Sequence, residues 1–164
     1  MSFRNWANLI SFNLIWTLSV FLGNGALVFV VPLLIIHFSL VSERVIELKI
    51  VITSAIVGYS VDCLLTLLGF FSFEQVQGVT PLWLAVLWIS FAATLRHSLS
   101  FFADKLLFAS ICGAIAGGTA YVMAARFGAV ELALSQMLSF VLLAVIWAFL
   151  FPCLMWISNN FGEE

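Results

Sequence analysis

Six apolar runs, each separated from the next by a short polar or glycine-rich stretch, set the pattern of the chain, and each reads as a helix. The first two cover about Trp6–Leu22 and Ala26–Leu40, and the turn residues Gly23, Asn24 and Gly25 between them predict a tight hairpin. Pro32 falls inside the second run, where it removes a backbone donor and predicts a kink. The stretch Ser42–Lys49, SERVIELK, is the most polar in the chain and predicts a surface loop leading into a third helix over about Leu48–Phe71. A connection around Glu74–Thr80 leads to Pro81, which suits the first turn of a helix, and the fourth run follows over Pro81–Phe102. Beyond the charged pair Asp104 and Lys105, a fifth helix over about Leu106–Ala125 and a sixth over about Leu132–Ile157 complete the series.

At about 1.5 Å per residue the run Pro81–Phe102 would be about 33 Å long, slightly more than the roughly 30 Å hydrocarbon core of a bilayer. The predicted fold class is therefore all-α, an integral membrane bundle of six transmembrane helices, with residues 1–164 as a single domain because every connection is short. Composition agrees: 64% of residues are apolar and 9% charged, where a soluble domain carries about 25%. The first run is long for the core of a secretion signal and lacks an A-x-A-like end, so it is read as a retained helix.

Lysine and arginine give the orientation. With the amino terminus in the cytoplasm, the inner side receives Arg4, Arg44, Lys49 and Lys105 and the outer side Arg126, so both termini are expected inside. Trp6, Trp83 and Trp156 would then lie at interface depth. With so few charges the net value of −2 says little about partners, and the lack of a basic stripe sets nucleic acid aside. Cys63, Cys112 and Cys153 fall inside apolar runs without CxxC spacing and read as small hydrophobes. There is no HExxH, histidine-box set, G-x-S-x-G or glycine-rich phosphate loop, so neither cofactor nor metal is expected. No internal duplication of the transporter kind is visible.

Ionisable residues inside a membrane span are costly and mark sites. Asp62 falls near the middle of the third helix and shares a face with Gly58, Tyr59, Thr66 and Gly69. On the fourth run Ser90, Thr94, His97 and Ser98 form a polar stripe with Arg96 beside it. Because the two helices are consecutive and antiparallel, Asp62, Arg96, His97, Thr94 and Ser98 make a candidate buried polar site that binds a headgroup or moves a proton. The competing reading is a charge-neutralising pair that ties two helices, with Arg96 snorkelling to the inner interface. His37 reads as interfacial rather than as a ligand. Asn13 and Thr17 are expected to hydrogen-bond across a helix contact, and Gly113 and Gly117, a GxxxG, to pack a helix closely within the monomer.

The run PLWLAVLWISFAATLRHSL, preceded by VDCLLTLLGFFSF, resembles a family of small bacterial inner-membrane proteins catalogued only as a domain of unknown function. The resemblance rests on the Asp62 segment, Pro81 with Leu82 and Trp83, Trp88, and Thr94 to Leu99; Arg96 stands at a position where the family varies. It implies a bacterial inner-membrane location. Family members accompany methyltransferases of the cyclopropane-fatty-acid-synthase kind and flavin-dependent amine-oxidase-like proteins, which implies lipid modification or membrane stress. The expected function is thus a multi-pass inner-membrane protein that binds or helps to modify membrane lipids, with membrane lipids and a soluble lipid-modifying enzyme as partners. The alternatives are a small transporter or channel, for which Leu82–Ile89 offers almost no polar path, and a structural partner that holds a soluble enzyme at the membrane.

Overall fold

Helices form along the apolar runs and stop where glycine, proline or clustered charge interrupts them. The computed structural model describes residues 3–74 and 79–161, so residues 75–78 of the expected Glu74–Thr80 connection lie outside the described residues. Its helices are α1 (Phe3–Leu22), α2 (Leu27–Leu40), α3 (Arg44–Leu67), α4 (Leu82–Ala92), α5 (Leu106–Arg126) and α6 (Gln136–Asn160). The rest of the regular structure is a two-residue ladder, β1 (Phe71–Ser72) antiparallel to β2 (Glu131–Leu132), and short 3-10 turns. The all-α class holds.

Among the described residues, four helical stretches are long and apolar enough to cross a membrane: Phe3–Leu40, Arg44–Leu67, Leu106–Arg126 and Gln136–Asn160. The first is a single apolar stretch of 38 residues, but it folds back on itself. A 3-10 turn over Gly23–Ala26 divides it, and Gly23 takes a left-handed φ of 52° there. Asn8, early in α1, and His37, late in α2, both reach the residues after α4, whereas Asn24 at the turn accepts the backbone N–H of Trp83 at the start of α4. The expected hairpin is present. At the same end as Asn8, the amide of Asn159 donates to the carbonyl of Ala103, so both ends of the described chain lie at one end of the bundle.

α3–β1–α4 and α5–β2–α6 are two copies of one helical hairpin, and the expectation of no internal duplication is corrected. α3 and α5 both end in a Schellman motif: Gly69 (φ 77°) and Gly128 (φ 78°) donate to Thr66 and Ala125, and the next residues, Phe70 and Ala129, donate to Leu65 and Ala124. In each copy a helical glycine lies against a tryptophan of the returning helix, Gly58 under Trp88 and Gly117 under Trp147, where an added Cβ would fall on the indole ring. The register between the copies is 59 residues, and at that spacing Leu84-Ala85-Val86-Leu87-Trp88 aligns with Leu143-Ala144-Val145-Ile146-Trp147. Ala55, Ile56 and Gly58 likewise align with Ala114, Ile115 and Gly117. Counterpart residues touch each other: Trp88 and Trp147 stack at 11° with centroids 5.6 Å apart, and Tyr121 hydrogen-bonds Asp62. A residue meets its own counterpart only near an axis that relates the two copies, and the antiparallel β1–β2 ladder at the tips of the hairpins obeys the same two-fold relation.

Glycine spacing therefore serves packing within the chain, as expected for Gly113 and Gly117: an added Cβ at Gly113 would lie 2.7 Å from Cβ of Phe151. Large apolar side chains on the outer faces, among them Phe29, Ile35, Leu107 and Phe149, are exposed as a hydrocarbon solvent requires. Trp6 and Trp156 are exposed too, whereas Trp83, at the start of α4, is buried over Gly23. Asn13 and Thr17 do not bridge helices; each bonds a carbonyl of α1 itself, Leu9 and Asn13 respectively.

Candidate functional site

The fourth run does not stay α-helical to Phe102. Regular α4 ends at Ala92, and Ala93–Leu99 continues as tightened turns before a 3-10 helix over Ser100–Phe102. The reason is local: Thr94 and Ser100 turn their hydroxyls back onto the carbonyls of Phe91 and His97, and such side chains compete with the α-helical ladder. Asn8 of α1 completes the arrangement. Its amide donates to the carbonyl of Ala93, and its oxygen accepts from the backbone and hydroxyl of Ser98. Unwound backbone at membrane depth persists only where such partners satisfy it.

The unwinding turns Arg96 and His97 toward the start of α3. That start also departs from expectation, since α3 begins at Arg44 rather than near Leu48 and carries Glu47 in its first turn. Most of the predicted surface loop is thus helix, and Glu47 is only 1% exposed. Nε2 of His37 and Nε2 of His97 each lie 3.0 Å from Oε1 of Glu47, and the two rings meet edge to face with centroids 5.0 Å apart. Arg96 pairs with Glu43 at 2.9 Å and stands 3.6 Å from Oε2 of Glu47. A buried carboxylate is tolerable here because three cationic or donor groups from two other segments surround it, and a helix N-terminus favours negative charge. A cleft of about 310 Å³ opens beside the cluster, lined by Arg4, Val41, Ser42, Glu43, Glu47, Arg96 and His97.

Asp62 lies elsewhere. Its carboxylate, buried at the centre of the bundle, accepts from Nε1 of Trp88 at 2.6 Å and from the Tyr121 hydroxyl at 2.7 and 2.8 Å. The expected pairing of Asp62 with Arg96 and His97 is corrected: both of those side chains reach Glu47, and the donors to Asp62 are neutral. Of the predicted site residues, Arg96 and His97 meet at the end of the bundle, Thr94 and Ser98 shape the unwound segment that carries them, and Asp62 belongs to a separate centre. His37 is a member of the cluster and not merely interfacial.

Sequence reasoning did not single out Glu43, Glu47 or Asn8, and it set His37 aside as interfacial. A signal for Glu47 was available. The inward face of α3, followed backward from Asp62 through Gly58, Ser54 and Val51, arrives at Glu47 in steps of three and four, and all of these are buried. Glu43, the α1 residue Asn8 and the α2 residue His37 carried no such periodic mark.

None of the curated proteins and none of the solved structures compared with the chain matches it. The model of one family, described as "Protein of unknown function (DUF2878)", matches residues 5–153, and the chain belongs to that family.

Proposed function

We propose that this is a multi-pass bacterial inner-membrane protein with six spans and both termini in the cytoplasm, and that it binds the phosphate-bearing headgroup of a membrane lipid in the cleft beside Arg96 and His97. The observation that carries the reading is the cleft itself. It combines the guanidinium groups of Arg4 and Arg96, the hydroxyl of Ser42 and the imidazole of His97 with the carboxylates of Glu43 and Glu47, which Arg96 and the imidazoles engage, at one end of an apolar bundle, where headgroups would lie. Asymmetry between the hairpin copies supports it further. At the same register Glu47, Arg96 and His97 correspond to Leu106, Met155 and Trp156, so the second copy has apolar side chains where the first has the cluster. A purely architectural duplication has no need of that difference. The chemistry done to the bound lipid, in this reading, belongs to a soluble partner enzyme.

Purified protein tests the reading through the lipid it carries. Native mass spectrometry of the wild type in detergent is expected to show retained phospholipid, and Arg96→Met with Arg4→Met to lose most of it while still folding. Equal retention in the variant would overturn the assignment. Topology is tested by reporter fusions at Gly78, which lies outside the described residues, and at the carboxyl terminus: an outside signal at the first and a cytoplasmic one at the second are expected, and a cytoplasmic signal at Gly78 would overturn the orientation.

A transporter is the second reading, favoured by the duplicated hairpin and by the acid on its axis. Against it, the axis is filled by the stacked Trp88 and Trp147 rings. Liposome flux of small ions separates the two readings.

A further inference from the structure

Three side chains from three segments, His37 in α2, Glu47 in α3 and His97 after α4, bring one ligand atom each within 4.8 Å of one another. Their geometry is closer than a chance meeting of polar groups at a bundle end. Both Nε2 atoms converge on the same carboxylate oxygen at 3.0 Å, and the edge-to-face rings aim their nitrogens at that point from different directions. Ligands of a tetrahedral zinc ion, each about 2.0–2.2 Å from the metal, stand roughly 3.3–3.5 Å apart, so small rotations of the rings would open room for an ion among the three. A second observation points the same way. Oε2 of Glu47 is buried without a hydrogen bond, because Arg96 approaches it only to 3.6 Å. Buried carboxylate oxygens are rarely left in that state, and a cation bound to the carboxylate offsets the cost.

We propose that His37, Glu47 and His97 form a binding site for one divalent transition-metal ion of the zinc class. Two imidazole nitrogens and one carboxylate oxygen are a ligand set that such an ion accepts, and three protein ligands leave a fourth position for water or substrate. That position faces the cleft that holds Arg4, Ser42 and Arg96. Arg96 and Glu43, on the wall of the same cleft, orient the carboxylate: the guanidinium holds Glu43 at 2.9 Å and faces the second oxygen of Glu47. The ion site stands on the three ligands alone. Only the identity of the fourth ligand, a lipid phosphate oxygen, rests on the headgroup reading above.

The full chain, purified through a tag without histidines and stripped with a chelator, is titrated with Co²⁺ followed by its visible absorption and with Zn²⁺ against a chromophoric competitor. One equivalent of each ion is expected to bind, with a tetrahedral cobalt spectrum and a raised unfolding temperature. His37→Ala and His97→Ala are each expected to weaken binding by about 100-fold or more, beyond what losing an outer partner does. Arg96→Met, which removes the headgroup contact but no ligand, is expected to weaken it by about 10–100-fold, as the loss of an outer partner does. A wild type that binds the ion but retains no phospholipid, or an Arg96→Met protein that retains as much lipid as the wild type, would sink the headgroup reading alone. No stoichiometric binding by the wild type, or equal binding by the doubly substituted His37→Ala, His97→Ala protein, overturns the metal site and makes the imidazoles hydrogen-bond partners of Glu47. Should the alanine variants fail to fold, His97→Gln is used together with the wild-type unfolding temperature, and a wild type that gains none from Zn²⁺ overturns the proposal.

Discussion

The chain buries two carboxylates on one face of α3, Asp62 and Glu47, and surrounds them in opposite ways. Asp62 lies where the hairpin copies meet; its partners are the neutral donors of Trp88 and Tyr121, and stacked aromatic rings close the space around it. Glu47 lies at the end of the bundle, among imidazoles and a guanidinium and beside an open cleft. A polar group that serves to hold two copies together belongs where both copies reach it, and its hydrogen bonds should be complete. A group kept for a ligand should be accessible and under-satisfied, and Oε2 of Glu47 is the latter. On the proposed reading, the centre is architecture and the end is the ligand site.

Asp62→Leu should break this contrast most severely. It strands the buried Trp88 N–H and Tyr121 hydroxyl, at about 1–3 kcal/mol each, so several kcal/mol of stability are expected to be lost in a detergent unfolding titration. Adding Tyr121→Phe should return part of that loss. A stable Asp62→Leu protein that had lost lipid binding would reverse the assignment of the two carboxylates.

Next in size are Gly58→Ala and Gly117→Ala. Each adds a methyl where a tryptophan ring already lies, an overpacking that costs about 1–3 kcal/mol, and the two losses should be similar because the positions are counterparts. Widely different unfolding midpoints for the two would weaken the duplication. Glu47→Gln should cost less than Asp62→Leu, within the roughly 0.5–3 kcal/mol of an ordinary substitution, because Arg96 keeps Glu43 as a partner. It should nonetheless reduce complementation of a deletion strain, the readout that a structural residue would not move selectively. The smallest effect is expected for Glu43→Gln. Its side chain is 59% exposed, and an exposed ion pair contributes about 0–1 kcal/mol, so an unfolding midpoint close to wild type is the expected result.

Sequence alone determined the helices and their order, because membrane helices are written in long apolar runs and their breaks in glycine, proline and charge. It also determined that α3 turns a polar face inward and that Gly113 and Gly117 mark a close contact. The duplication was legible too, in LAVLW and LAVIW, yet it is hard to see in a chain that is 64% apolar, where short runs of leucine, alanine and valine match by chance. Only the glycine-ended helices and the contacts between counterparts made it plain. Which carboxylate meets which partner was decided by tertiary structure. Depth along a helix depends on where the helix begins, and the start of α3 at Arg44 brought Glu47 under the imidazoles. The unwinding after Ala92, stabilised by Asn8 from a distant part of the chain, turned His97 away from Asp62. Neither event leaves a periodic mark: the turns after Ala92 combine local back-bonds of Thr94 and Ser100 with Asn8 from a distant part of the chain, and the partners of Glu47 come from two other segments.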